Sequence, residues 1–369
     1  MQNFFHFFLI IMLLVPHSAA TQVSPGEQPP LKVGVVGLVH THVHWILGRP
    51  DRGDIEIVGI AEPNRELAQR YAKQHGYSMD IVYDSIEEML DATQPEAVTA
   101  FNTIYDHLKV VEICAPRGIH VMVEKPLAVN WDHARKMAKL ARAHNIHLLT
   151  NYETTWYGSN HRAYQLVKEG KIGDLRKIVV HDGHQGPEEI GCNIEFLEWL
   201  TDPVLNGGGA ITDFGCYGAN LTNWLMDGQR PTSVTAVTQQ FKPEKYPKVD
   251  DEATIILTYP KTQAILQPSW NWPYGRKDIE IYGQTGYIVN HNGTDMTLLY
   301  EEKEGPFQEE APALKTPQND PFAYLEGVIR GKITVKPTDL SALENNLLVV
   351  EILEAAKKSA KKGKTVFLK

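Results

Sequence analysis

The chain has 369 residues, 43% of them apolar and 22% charged, with a formal net charge of −9, enough length for two domains with real cores. The acidic balance and the lack of a basic run argue against nucleic acid as a partner. The three cysteines, Cys114, Cys192 and Cys216, are too few and too scattered for a disulfide framework or a zinc knuckle.

Residues 1–20 hold no Lys, Arg, Asp or Glu, and Phe4 to Val15 is nearly all apolar. That core suits a signal peptide and is too short to span a bilayer, so no stable membrane anchor is expected. Ser18-Ala19-Ala20 supplies small residues for cleavage. An N-terminal anchor or a loose tail is the plainer alternative. With no following Cys and no Arg pair, the expected route is Sec-type export to the periplasm or outside. Residues 21–30 read as a flexible lead-in.

From Leu31 the pattern alternates between strand and helix. Strands are expected over Lys32–Leu38, Ile55–Ala61, Ile81–Tyr83, Ala97–Asn102, Ile119–Val123 and His147–Thr150. Between them run helices to about Arg49, from cap Asn64 to Gln74, from Ser85, from Tyr105, and from cap Asn130 to Ala143. Alternation of this kind predicts a parallel sheet with ligands beyond the carboxyl ends of its strands. The first domain is therefore assigned to residues 31–150 as a Rossmann-like dinucleotide-binding unit.

Residues 151–369 form the second, substrate and oligomerisation domain, whose C-terminal helices have room to return to the first. A helix is expected over 160–169. Strands follow over 176–182, 233–240, 253–259, 263–270, 278–282, 287–290 and 296–300, several alternating as an antiparallel sheet does. A helix opens near Asp213 and runs to Met226, and helices close the chain over 320–330 and 339–361. The fold class is α/β, a Rossmann domain plus an α/β domain with an open, mainly antiparallel sheet.

The first turn, Gly37-Leu38-Val39-His40-Thr41-His42-Val43-His44, decides the chemistry. A pyrophosphate needs backbone N–H groups at a helix start with no side chain in the way. Gly37 holds the first glycine position, while Val39 and His42 stand at the second and third. Val39 would push a branched side chain at the phosphates. Glu62, closing the second strand, can accept from ribose hydroxyls and opposes a 2′-phosphate, favouring NAD over NADP. Asn102 and Glu124, with Lys125, close later strands on the same crevice. His40, His42 and His44 would share a face if extended, and so offer a divalent metal site; local hydrogen bonding is the plainer reading. His181 and His184 form a second group.

Glu124-Lys125-Pro126, Gly207-Gly208-Gly209-Ala210-Ile211-Thr212-Asp213-Phe214-Gly215-Cys216-Tyr217 and Ile281-Tyr282-Gly283-Gln284-Thr285-Gly286 together resemble the Gfo/Idh/MocA oxidoreductase family. The likeness covers Leu31 to Lys369. It implies NAD(P)-dependent oxidation or reduction of a sugar or polyol, with Lys125 catalytic and with Asp213 and Tyr217 on the substrate side. Tyr217 stands where many members have His, and Asn220 where many have Asp. The residue types fit: Tyr217 beside Lys125 is expected to reach a lowered pKa and act as base, and Asp213 to bind a hydroxyl, orient the base or cap its helix. Trp156, Trp270 and Trp272 are candidates to stack on a sugar. A homo-oligomer is plausible by resemblance. Two alternatives stay open: a metal-dependent or redox-recycling glycoside lyase or hydrolase, and a non-catalytic carbohydrate-binding protein.

Overall fold

The structure is a computed structural model that describes residues 28–300 and 304–368. The expected export signal and most of the lead-in lie outside the described residues.

In the first domain, β1 (Leu31–Val36) leads through a turn to α1 (Val43–Leu47), and β2 (Ile55–Ala61) to α2 (Arg65–His75). Then come β3 (Val82–Tyr83), α3 (Ile86–Thr93), β4 (Ala97–Ala100), α4 (His107–Cys114), β5 (His120–Glu124), α5 (Trp131–Ala143) and β6 (Leu148–Asn151). The six strands are all parallel, in the order β3-β2-β1-β4-β5-β6. The order reverses beside β1, and there the crevice for a ligand opens. Asn64, Ser85 and Asn130 cap α2, α3 and α5, each accepting from the N–H three residues on. Helix α1 is only five residues long and stops at Gly48, short of the expected Arg49. The Arg49 guanidinium instead holds Asp54 and Asp320.

The second domain contains α6 (Gly158–Lys168), β7 (Leu175–Gly183), α7 (Ile194–Leu200), α8 (Ala210–Asp213) and α9 (Gly215–Leu225). It continues with β8 (Ser233–Gln239), β9 (Glu252–Thr258), β10 (Gln263–Ser269), β11 (Arg276–Gly283), β12 (Tyr287–Asn290), β13 (Asp295–Leu299) and β14 (Phe307–Glu310). It closes with α10 (Pro321–Ile329), α11 (Leu343–Lys362) and β15 (Val366–Phe367). Its sheet runs β14-β13-β12-β11-β7-β10-β9-β8-β15, antiparallel except where β10 joins β7. Alternate burial along β9 and β10 puts one face on a core built with α8, α9 and α11.

Three elements escape the sequence pattern: α7, β14 and β15. The helix expected from Asp213 to Met226 is in fact two. Asp213 turns its carbonyl to the Lys125 ammonium (3.1 Å) and the Cys216 thiol (3.2 Å), which interrupts the helical ladder. Phe214 occupies the N-cap of α9, so Asp213 is not its cap. Phe322, Leu325 and Val328 of α10 join the core under β1 and β2, and Val350 of α11 joins the core under α4 and α5. The three cysteines are free thiols.

Candidate active site

Lys125 follows β5 and points across the domain boundary. Its ammonium donates to Asp213 Oδ1 at 2.5 Å, and both side chains are 6% exposed. Burial pulls the lysine down, but the charge and hydrogen bond of Asp213 outweigh it and hold the ammonium protonated. Burial likewise pushes Asp213 up, and Lys125 pulls it below an ordinary aspartate. The second carboxylate oxygen of Asp213 accepts from Trp270 Nε1 at 3.0 Å. Trp270 is thus fully buried behind Asp213, not a stacking platform. Trp156 is likewise engaged, donating to Asn151 Oδ1 and lying edge-on to Tyr324.

Tyr217 lies beside this pair, in surroundings that do not favour its phenolate. The ammoniums of Lys125 and Lys277 sit over its ring face at 5.0 and 4.8 Å. Burial, with Glu153, Asp182 and Asp213 nearby, drives its phenol well above 10, the reverse of the expected shift. A cation over the ring is a π contact and does not replace a hydrogen bond to the phenolate oxygen.

The histidine turn divides. His40 is 1% exposed and packs against Phe196 and Trp199 of α7. His42 stacks on Trp45 with centroids 3.8 Å apart and reaches Glu124 Oε2 with Nδ1 at 2.9 Å. His44 turns away to His75, 2.8 Å off, and to Tyr71. Helix geometry explains the split, since α1 begins at Val43 and rotates the following residue off the crevice. The expected three-histidine metal set is therefore wrong in one member: the group that converges is His40, His42 and Glu124, with donor atoms within 4.8 Å of one another. His181 pairs with Asp278 at 3.0 Å, while His184 lies edge-on to Phe214 near Asp213, where burial lowers it to about 4.

The cofactor residues fit a dinucleotide. Gly37 has φ +76°, and a Cβ there would lie 2.7 Å from Asn102 Cβ. The Glu62 carboxylate accepts from Leu38 N–H and from Asn64 N–H, both at 2.8 Å, which fixes it at the first turn. Asn102 Oδ1 is buried without a hydrogen-bond partner among the described residues. The Val39 side chain is half-buried against the cores of both domains, so packing takes up the branch expected to obstruct the phosphates.

The sequence reading missed Asp182, Glu153, Lys277 and Asn151. Asp182 is 2% exposed, neither carboxylate oxygen has a hydrogen-bond partner among the described residues, and burial raises it well above its usual range. Its neighbours His181 and His184 were the signal that marked the segment. Lys277, opposite Asp182 across the β7–β11 ladder, pairs with Glu153. Asn151 donates to Glu124 Oε1 at 2.8 Å. Helix α7 ties the second domain to the first through Arg70–Glu195 and through Asn193, which donates to the Tyr71 hydroxyl.

Residues 31–152 match the family described as "Oxidoreductase family, NAD-binding Rossmann fold", and residues 160–289 match its GFO/IDH/MocA C-terminal domain. The trans-1,2-dihydrobenzene-1,2-diol dehydrogenase of Bos taurus is 27% identical over 232 residues, 62% of this chain and 65% of that protein. The Xenopus laevis protein of the same name is 30% identical over 214 residues, 58% of this chain and 60% of that protein. The matches thus span less than two thirds of these relatives' length. Among solved structures, an inositol dehydrogenase homolog complexed with NAD+ from Azotobacter vinelandii superimposes with TM-score 0.79 at 16% identity, covering 92% of this chain and 98% of that one. The aldose-aldose oxidoreductase from Caulobacter crescentus, complexed with glycerol, gives 0.75 at 21% identity, covering 92% and 100%. At such identities the structural likeness is one of fold.

Proposed function

This chain belongs to the GFO/IDH/MocA oxidoreductase family, and on that premise we propose that it moves a hydride between NAD and a hydroxyl-bearing carbon of a sugar or polyol. The observation that carries the proposal is the buried Lys125–Asp213 pair at the crevice between the two domains. Gly37, Glu62, Asn102 and Glu124 would hold or border the cofactor. When bound, a nicotinamide supplies the hydride acceptor or donor. Lys125, held protonated, stabilises negative charge on the substrate oxygen as it develops. Asp213 fixes the ammonium in place, and Trp270 fixes Asp213. Asp182, with neither oxygen partnered among the described residues, offers a hydrogen-bonding carboxyl to a further substrate hydroxyl.

The test is absorbance at 340 nm with NAD+ and a panel of myo-inositol, D-glucose, glycerol and a trans-cyclic 1,2-diol. Reduction with at least one of them is expected. An inert protein that binds NAD+ would leave the binding reading, and one that binds none would end the proposal.

NAD is proposed over NADP, because a 2′-phosphate beside the buried Glu62 carboxylate places like charges together. A dissociation constant for NADP higher by about tenfold, roughly 1.4 kcal/mol, is expected by fluorescence titration. Glu62→Gln should narrow the gap, and tighter NADP binding by the wild type would contradict the assignment.

Export is part of the same proposal and rests on Phe4 to Val15 and Ser18 to Ala20. N-terminal sequencing of the protein recovered from outside the cytoplasm should begin at or near Thr21. A homo-oligomer is proposed as well, with light scattering as its check.

A further inference from the structure

Resting on the oxidoreductase reading, we propose that His42, oriented by Glu124, is the proton acceptor for the substrate hydroxyl, in the role first expected of Tyr217. Burial raises the Glu124 carboxyl, and His40, Asn151 and Lys125 pull it back; as a carboxylate it has only acceptors, and its 2.9 Å contact then puts the ring proton of His42 on Nδ1. That leaves Nε2 with its lone pair. Nε2 makes no hydrogen bond among the described residues and is not one of the buried atoms left unpartnered; with the side chain 17% exposed, it opens to the crevice. Asn151 holds the other oxygen of Glu124, and Trp156 holds Asn151, so the carboxylate has one orientation. Trp45 stacks under the ring and fixes its plane.

The same hydrogen bonds argue against a metal at His40, His42 and Glu124. His40 Nδ1 accepts the His42 backbone N–H at 3.1 Å, so a neutral His40 carries its proton on Nε2. That nitrogen then shows a donor to the cluster, not a lone pair. It is buried, has no hydrogen-bond partner among the described residues, and lies 3.9 Å from Glu124 Oε2.

Lys125, Lys277, Glu153 and Asp213 are the charged groups felt by His42 besides Glu124. Burial comes first and the two ammoniums next in lowering its pKa, so the resting ring is neutral at neutral pH. In the oxidation, the substrate O–H bond breaks and its proton becomes the Nε2–H of His42. The carbinol C–H pair leaves as hydride to the oxidised nicotinamide, and the carbon becomes a carbonyl. Lys125 stays protonated throughout.

The test has two arms on the full protein. Nitrogen-15 NMR of histidine-labelled protein, without substrate, should show His42 protonated at Nδ1 and bare at Nε2, with His40 the reverse. Glu124→Gln should disturb the His42 assignment. With the polyol that gives turnover, His42→Ala should lower kcat by about 10²–10⁴-fold, and added imidazole should restore part of it. His42→Gln, which keeps a polar side chain, guards against loss of fold and should show the same fall. Tyr217→Phe should lose less than His42→Ala. A proton on His42 Nε2, stoichiometric Zn2+ taken up by the cluster, or an active wild type whose His42→Ala variant keeps kcat within about threefold would each overturn the assignment. A wild type inert with every polyol would instead overturn the oxidoreductase reading, and the base role with it.

Discussion

Replacing Lys125 by alanine is expected to lower kcat by about 10²–10³-fold and to cost about 3–5 kcal/mol of stability. The second effect is the less obvious. Asp213 is as buried as the lysine, and its remaining side-chain partner is Trp270 Nε1. Removing the ammonium therefore strands a carboxylate in the interior, and that penalty exceeds the net worth of the pair. Urea unfolding of Lys125→Ala measures it. The double variant Lys125→Met with Asp213→Asn should regain most of the stability and none of the activity. The pH dependence follows from the depressed aspartate. In the wild type, Asp213 contributes stability above the unfolded aspartate pKa of about 3.9, lost as pH falls through its lower folded value. In Lys125→Ala, burial is opposed by only the weaker Trp270 hydrogen bond and His184, and is expected to raise that carboxyl, so its penalty fades as pH falls. The stability gap between the two proteins should narrow in acid. A single variant that loses under about 1 kcal/mol would contradict a buried, charged pair.

Gly209→Ala should destabilise by at least the cost of about 1–3 kcal/mol typical of overpacking. An added Cβ would lie 1.8 Å from the Asp250 carbonyl oxygen. That oxygen accepts the Ala210 N–H at 3.0 Å, and the Asp250 carboxylate accepts from Gly209 and Ile211. The clash therefore falls on backbone that has no freedom to yield. Asp213 lies one turn further on, so the substitution should also reduce turnover. Gly275→Ala is the control: nothing lies within 4 Å of its added Cβ, and a change within about 0.5 kcal/mol is expected. Thermal unfolding compares the two, and equal losses would show that the close approach at Gly209 is not limiting.

Part of the fold was legible because some residues answer a local demand of the backbone. Gly37 satisfies a left-handed turn, and Asn64 and Asn130 cap their helices by reaching three residues along. Such demands act over a few residues and leave a pattern. Helix α7 left none that was recognised. It is seven residues long, and besides its own domain's core it is held by Arg70, Tyr71 and His40 of the other domain.

By itself, then, the sequence determined the alternation of strand and helix, the parallel first sheet, the caps, the glycine turns and the place of Lys125. Only the tertiary structure decided how the site is wired. It brought Glu124 to His42 across 82 residues, Asp213 to Lys125 across 88, and Trp270 to Asp213 across 57. It also sent His44 away to His75 and raised the Tyr217 phenol where a lowered one was expected. The physical reason is that protonation and tautomer depend on burial and on partners within a few ångströms. Those partners come from strands and helices far apart in the chain, and local periodicity carries no record of them.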